Sequence, residues 1–289
     1  MPARLILNAD DFGLTRGINR AIAELHAAGA LTSATLMANG PAFHHAVAIA
    51  HAHPTLGVGC HIVLTDGTPL SPPETIPTLL GPDGKTFRTS LAAFHLAVLR
   101  GNVRKADIAR EASAQIDRLQ TAGITVTHID THKHTHILPQ VARPLLEVAL
   151  HHNIRAIRNP FEQPWSQKVG RSNLMRHLQV TAMRTLRPRF HGLQAIRERS
   201  VLTTNGTIGI SATGSLDTAT LRSLLAALPA TGTWEIVCHP GYNDADLDAV
   251  TTRLRASRNV ERETLLQLFT PQSSHRSQPE LINYGDLRD

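Results

Sequence analysis

Two cysteines, Cys60 and Cys238, are all that this 289-residue sequence contains, so no disulfide framework holds it, and each reads as a structural thiol. Aromatic residues are scarce as well, at 4%. With no recognition-helix or RNA-binding motif either, a nucleic-acid partner is not expected. No apolar run approaches the roughly 20 residues that span a bilayer. Met1–Leu7 is too short, and runs too directly into a charged pair, to serve as a secretory signal. A cytoplasmic protein without a transmembrane segment is the expectation. No glycine-rich phosphate loop follows the first apolar segment, which removes the usual companion of an open dinucleotide-binding sheet. Acids are nearly missing from one stretch: Lys168 to Arg199 holds eight basic residues (Lys168, Arg171, Arg176, Arg184, Arg187, Arg189, Arg197, Arg199) against Glu198 alone. That stretch therefore accounts for the whole net charge of +6. It reads as a solvated helix face. Its interleaved Trp165, Leu174, Met175, Leu178, Met183, Leu186 and Phe190 leave peripheral contact with an anionic membrane as the other reading.

What is present is ordinary globular material, 42% hydrophobic and 18% charged, in which short apolar runs alternate with helical patterns. Strands are expected at Arg4–Ala9, Ser33–Ala38, Gly57–Leu64, Thr125–His132, Thr207–Ser211 and Thr233–His239, with an extended stretch at Arg155–Asn159. Helices are expected at Gly17–Gly29, Ala42–His53, Lys105–Ala122, Pro139–His152, Leu216–Ala227 and within Asp244–Phe269. About seven βα repeats with short links predict a single α/β domain over residues 1–289, built as a closed or nearly closed parallel barrel. Two segments break the rhythm. Residues 65–103, with PLSPPETIP and GPDGK, are too rich in proline and glycine for a regular unit and read as a lid over the site. The other is the basic segment, residues 160–200. A polar stretch then leads into 271–289, where Leu281–Leu287 is expected as a late strand returning to the body.

In parallel α/β folds the working residues gather at the carboxyl ends of the strands. Here the first strand ends in Asp10-Asp11, the third reaches His61, the fourth carries His128, Asp130 and His132, and the last reaches His239. Adjacent carboxylates at a strand end repel unless a cation or proton separates them. On a regular strand they point to opposite faces, so both can serve one site only if the strand ends there and the chain turns. In His128–His136 four histidines fall within nine residues. At about 3.3 Å per residue, His128 and His132 stand roughly 13 Å apart and cannot share one ion. The residue nearest the strand end is the better ligand, with His128 and Asp130 buried behind it. One Asp and two neutral His leave positions open for water and substrate, as in a catalytic metal site.

The motifs NADDFGLTRGIN (Asn8–Asn19), LTSATLMANGPAF (Leu31–Phe43), VGCHIVLTDGTPL (Val58–Leu70), THIDTHKHTHILP (Thr127–Pro139) and CHPGYND (Cys238–Asp244) resemble, in family order, those of the YdjC-like carbohydrate deacetylases. The resemblance implies a distorted (β/α) barrel, one divalent metal ion and hydrolysis of the acetamide of an N-acetylated sugar. It places the metal on Asp11, His61 and His132, the general base on Asp10 and the acid on His239. Asn39, Thr65, Arg158 and Tyr242 are expected near the substrate. The resemblance suggests magnesium, while two imidazoles are softer donors than magnesium prefers, so zinc or another transition ion is physically plausible and the metal stays open. Within the family, GPDGKTF and HKHTH resemble a branch acting on a sugar carried by a hopanoid lipid, whereas HPGYND resembles the general, chito-oligosaccharide-active branch. A lipid-linked substrate and a homo-oligomer are both compatible with the sequence. The rivals are another amide or ester hydrolase on the same barrel and a non-catalytic carbohydrate-binding relative.

Overall fold

The computed structural model of the protein describes residues 2–169, 180–270 and 279–288. Its elements run β1 (Arg4–Phe12), α1 (Arg16–Ala27), β2 (Ser33–Leu36), α2 (Phe43–Ala52), β3 (Gly57–Ile62), α3 (Leu91–Leu99), α4 (Lys105–Thr121) and β4 (Ile129–Thr131). Then follow α5 (Pro139–His151), α6 (Pro164–Val169), α7 (Arg187–His191), α8 (Gln194–Arg197), β5 (Gly206–Ile208), α9 (Thr218–Ala226), β6 (Thr233–Cys238), α10 (Ala245–Asp248), α11 (Ala256–Phe269) and β7 (Glu280–Leu281). The strands pair in parallel in the order β4-β3-β2-β1-β6-β5, with β7 beside the start of β1.

The sheet is curled, and one side chain proves it. Asp130 of β4 and Glu235 of β6 have three strands between them, which would separate them by about 19 Å if the sheet were flat. The Arg158 guanidinium touches both. The chain after β4 also ties the two edges of this half-barrel, through isolated bridges of Ile157 with Ile129 and of Glu162 with Thr207. The expected barrel of about seven parallel strands is the observed fold.

Why these residues form these strands follows from a strict period of two. Leu5, Leu7 and Ala9 of β1, Ala34 and Leu36 of β2, Val58, Cys60 and Ile62 of β3, and Trp234, Ile236 and Cys238 of β6 all enter the apolar layer under the helices. The alternate positions (Asn8, Asp10, Ser33, Thr35, His61, Asp130, Glu235) are buried polar residues on the inner face. Helices cover the outer face by ordinary amphipathy: α1 buries Ile18, Ile22 and Leu25 and starts at Thr15, whose side chain accepts from the Ile18 N–H.

Several expected boundaries differ. β1 runs on to Phe12 instead of ending at Ala9, and β4 is only Ile129–Thr131 rather than Thr125–His132. Arg155–Asn159 makes bridges but no continuous ladder. Asp244–Phe269 is two helices, because 249–255 separate α10 from α11. The late strand shrinks to Glu280–Leu281, and Tyr284–Asp286 is a 3₁₀ turn closed by an Asn283/Asp286 capping box. Residues 65–103 are more regular than their composition suggests. They contain α3, and Ile76, Leu79, Phe87, Phe94 and Val98 are buried in the main core. Apolar content outweighed the proline and glycine count there.

Of the basic segment, 170–179 lie outside the described residues, and with them Arg171, Arg176, Leu174, Met175 and Leu178. The described part buries its apolar residues: Phe190 and Ile196 sit in the core, with Trp165, Met183 and Leu186 packed against it. No described helix is long and apolar enough to cross a membrane.

Candidate metal and acid–base site

The site begins with a fault in β1. Pairing with β2 is regular through Ala9 and resumes at Phe12, with a register shift between them. At that β-bulge Asp11 adopts φ 65°, a backbone that non-glycine residues rarely take without compensation. The strand therefore does not end and turn, as the sequence suggested. It bulges, and the extra residue brings Asp11 to the same mouth as Asp10. Gly13 follows at φ 91°, where a Cβ would stand 2.9 Å from Leu36, so the tight passage into α1 needs glycine.

Asp11, His61 and His132 converge so that one donor atom from each lies within 4.8 Å of the others. His61 Nε2 stands 3.3 Å from His132 Nδ1 and 3.8 Å from Asp11 Oδ1. The His132 to Asp11 distance is 3.5 Å. Asp130, opposite His61 in the ladder, takes the other ring nitrogen, with Nδ1 to Oδ1 at 2.7 Å. This fixes the ring and aims the Nε2 lone pair at its two neighbours, as second partners of metal-ligating histidines do. Without a cation there, burial opposes a charge on His61, yet Asp130, Asp10 and Asp11 hold its proton up to about 9. The cluster is thus built to hold positive charge at that point, and its donors fit a divalent ion with open positions.

His132 reaches the site because β4 stops at Thr131. Lys133 and His134 then take φ 57° and 53°, reversing the chain. Lys133 pairs with Asp66 of the 65–103 segment. His136 folds back onto Thr131, Nδ1 to Oγ1 at 2.7 Å, and onto the Arg158 carbonyl at 3.2 Å, a structural position. His128 is fully buried. Its ring lies over Gly59, where a Cβ would come within 2.5 Å of it.

Asp10 belongs to a second cluster. Arg158 grips it with two parallel bonds of 3.0 and 2.7 Å, and also pairs with Asp130 and, through Nε at 2.8 Å, with Glu235. Burial would raise the Asp10 carboxyl, but Arg158 holds it below the usual range. Asn8 and Thr35 complete its shell at 3.2 and 3.3 Å. His239, just past the end of β6, places Nε2 3.7 Å from Asp10 Oδ2. Burial outweighs the two aspartates and pushes His239 down to about 4, so its imidazole rests neutral. Its backbone N–H donates to Glu261 at 2.6 Å, and its Nδ1 has no partner among the described residues.

The four residues expected near substrate fare differently. Thr65 is buried, and its hydroxyl has no partner among the described residues. Asn39 donates to the Thr68 carbonyl at 2.9 Å, and its Oδ1 has no partner among the described residues. Arg158 is fully buried among the three carboxylates. Tyr242 gives its hydroxyl to Glu24 of α1 at 2.7 Å, and Arg20 and Arg262 lie over its ring.

Sequence reasoning missed Arg258, which meets Asp11 Oδ2 at 2.5 Å from α11 and, against burial, helps hold that carboxyl well below its usual range. It also missed Glu261 and Glu235. A lone acid inside the apolar run TWEIVC was the available signal for Glu235. Nothing in the charge-rich sequence of α11 sets Arg258 apart. The thiols of Cys60 and Cys238 face the outer apolar layer, where burial pushes both well up, as inert thiols.

A model of the family described as YdjC-like protein matches residues 4–273. The chain is 34% identical to a carbohydrate deacetylase of Brevibacillus brevis, over 98% of this chain and 99% of that one. It is 33% identical to a carbohydrate deacetylase of Geobacillus stearothermophilus, over 86% and 83%. Among solved structures it resembles an Enterococcus faecalis protein proposed to cleave cellobiose-phosphate, with a TM-score of 0.76, 24% identity and 98% of both chains covered. That likeness concerns the fold.

Proposed function

This chain belongs to the YdjC-like family, and on that premise we propose that it is a metal-dependent hydrolase removing the N-acetyl group from an amino sugar, with release of acetate. The observation that carries the reading is the pairing of two clusters: a donor set of Asp11, His61 and His132, and beside it Asp10 facing His239 across 3.7 Å. The relatives named carbohydrate deacetylases support the substrate class. A divalent ion on Asp11, His61 and His132 would supply Lewis-acid polarisation and a lowered water pKa.

The chain's own residues divide the proton work. Asp10, ionised and held in one orientation by the Arg158 fork, takes the proton of the attacking water. Because Arg158 keeps its proton affinity low, Asp10 passes that proton on, and neutral His239 receives it at Nε2. His239 then delivers it to the sugar nitrogen as the C–N bond breaks. The amine leaves neutral beside acetic acid, which gives up its proton on release as acetate, and the protons balance. An amide needs this last step because an unprotonated amine is a poor leaving group. Residues 65–103 form a wall held to the mouth by Lys133 and Asp66.

The test is acetate release from N-acetylglucosamine, chitobiose and a lipid-linked N-acetylglucosaminide, with O-acetylated sugars and simple amides alongside. Release confined to one N-acetylated sugar class and abolished reversibly by chelation is expected. Hydrolysis of O-acetyl esters alone, or activity indifferent to chelators, would overturn the reading. Asp10→Asn should keep bound metal while turnover falls by about 10² to 10⁴.

A further inference from the structure

We propose that Tyr284, five residues before the end of the chain, is a positioning residue for Asp10, acting through Glu235 and Arg158. The proposal rests on Asp10 being the proton acceptor named above.

The connection is continuous and enclosed. The Tyr284 hydroxyl donates to Glu235 Oε2 at 2.6 Å. Glu235 Oε1 accepts from Arg158 Nε at 2.8 Å, and the remaining two nitrogens of that guanidinium hold Asp10 at 3.0 and 2.7 Å. All four side chains are buried. A guanidinium is a planar fork, so fixing its Nε direction fixes the plane in which the other two nitrogens point. Glu235 fixes that direction. Among the described residues its second oxygen has, besides Tyr284, only the Thr207 hydroxyl, at 3.3 Å.

The placement of Tyr284 is itself built. β7 pairs with the start of β1, Arg4 with Glu280 and Leu5 with Leu281. The Asn283 capping box then turns the chain under the barrel, and the Tyr284 N–H donates to Ser33 Oγ at 3.2 Å. The ring stacks on His128 with centroids 3.7 Å apart and planes within 13°. Its neighbours Ile6, Ala156, Ile282 and Leu287 form a small apolar floor. A residue needed only to close that floor would be phenylalanine, because a buried hydroxyl costs stability unless it is matched. Here the hydroxyl is matched to the acid that holds the Arg158 Nε.

The experiment uses full-length, metal-loaded protein and Tyr284→Phe, which removes a single oxygen and keeps the stacked ring. kcat for acetate release should fall about tenfold, with KM within about twofold and bound metal unchanged. Tyr284→Leu, which also removes the stack on His128, should lower the melting temperature further without a comparable second loss of kcat. Independently of turnover, a double-mutant cycle on unfolding should show Tyr284→Phe and Asp10→Asn to be non-additive, although the two side chains do not touch. Tyr284→Phe with Asp244→Asn should be additive. An unchanged kcat in Tyr284→Phe, a fall confined to KM, or an additive cycle with Asp10 overturns the proposal. If the wild type releases acetate from no sugar, the deacetylase reading fails by itself, and the unfolding cycle still decides whether Tyr284 and Asp10 are coupled.

Discussion

The two faces of the curled sheet are packed by opposite chemistries. Along β1, Leu5, Leu7 and Ala9 point into the layer beneath the helices, while Asn8 and Asp10 point inward to Arg158 and its partners. The outer layer tolerates error gradually, since trimming an apolar side chain there leaves a cavity whose cost scales with its size. The inner face does not. Asp10, Asp130 and Glu235 surround one arginine, and the three acids, which repel one another, are bearable together only while that guanidinium is present. Stability is thus distributed on the outside and concentrated on the inside, which is where the site is.

The largest break in that comparison should come from the residues proposed to bind the metal. Asp11→Ala, His61→Ala and His132→Ala should each lower metal affinity by more than about 10²-fold and remove activity while the outer layer keeps the protein folded. Metal titration by calorimetry with circular dichroism checks both halves. A variant that retains full metal occupancy removes its residue from the ligand set.

Next is Arg158→Met, which leaves three buried acids facing one another. A loss of about 3–5 kcal/mol is expected in urea unfolding. The variant should also regain stability on acidification, as protonation relieves the repulsion that the guanidinium had cancelled. Leu7→Ala, on the outer face of β1, should cost about 2–5 kcal/mol with no such acid rescue and with metal retained. If the two variants respond alike to pH, the division between faces is not the one described.

The smallest effect is a pH slope. Burial, opposed by Arg158, raises Glu235 from 4.5 to about 7, so the folded protein holds this proton more tightly than the unfolded chain. Its contribution to stability is therefore complete below about 4.5 and is lost as pH rises through about 7. Glu235→Gln removes that dependence, so the wild type should lose melting temperature relative to the variant between pH 5 and pH 8. A parallel pair of curves would show that Glu235 does not titrate in that window.

Period-two alternation is a local property, and so the sequence carried the strands, their inner and outer faces and the parallel α/β class without help. The motifs at the strand ends also carried the family resemblance, and through it the expectation that Asp11, His61 and His132 bind a metal, while a strand's rise alone separates His132 from His128. What the sequence left undetermined depends on residues that meet only in three dimensions. The bulge that brings Asp11 beside Asp10 is a backbone choice made by pairing with β2. Arg258 reaches Asp11 across 247 positions and Arg158 reaches Asp10 across 148, and an arginine in a charge-rich helix looks the same in sequence whether it meets solvent or a buried carboxylate. Tyr284 and Glu235, 49 residues apart, join because β7 docks beside β1. Compensation of buried charge is a property of the assembled interior, and only the tertiary structure could decide it.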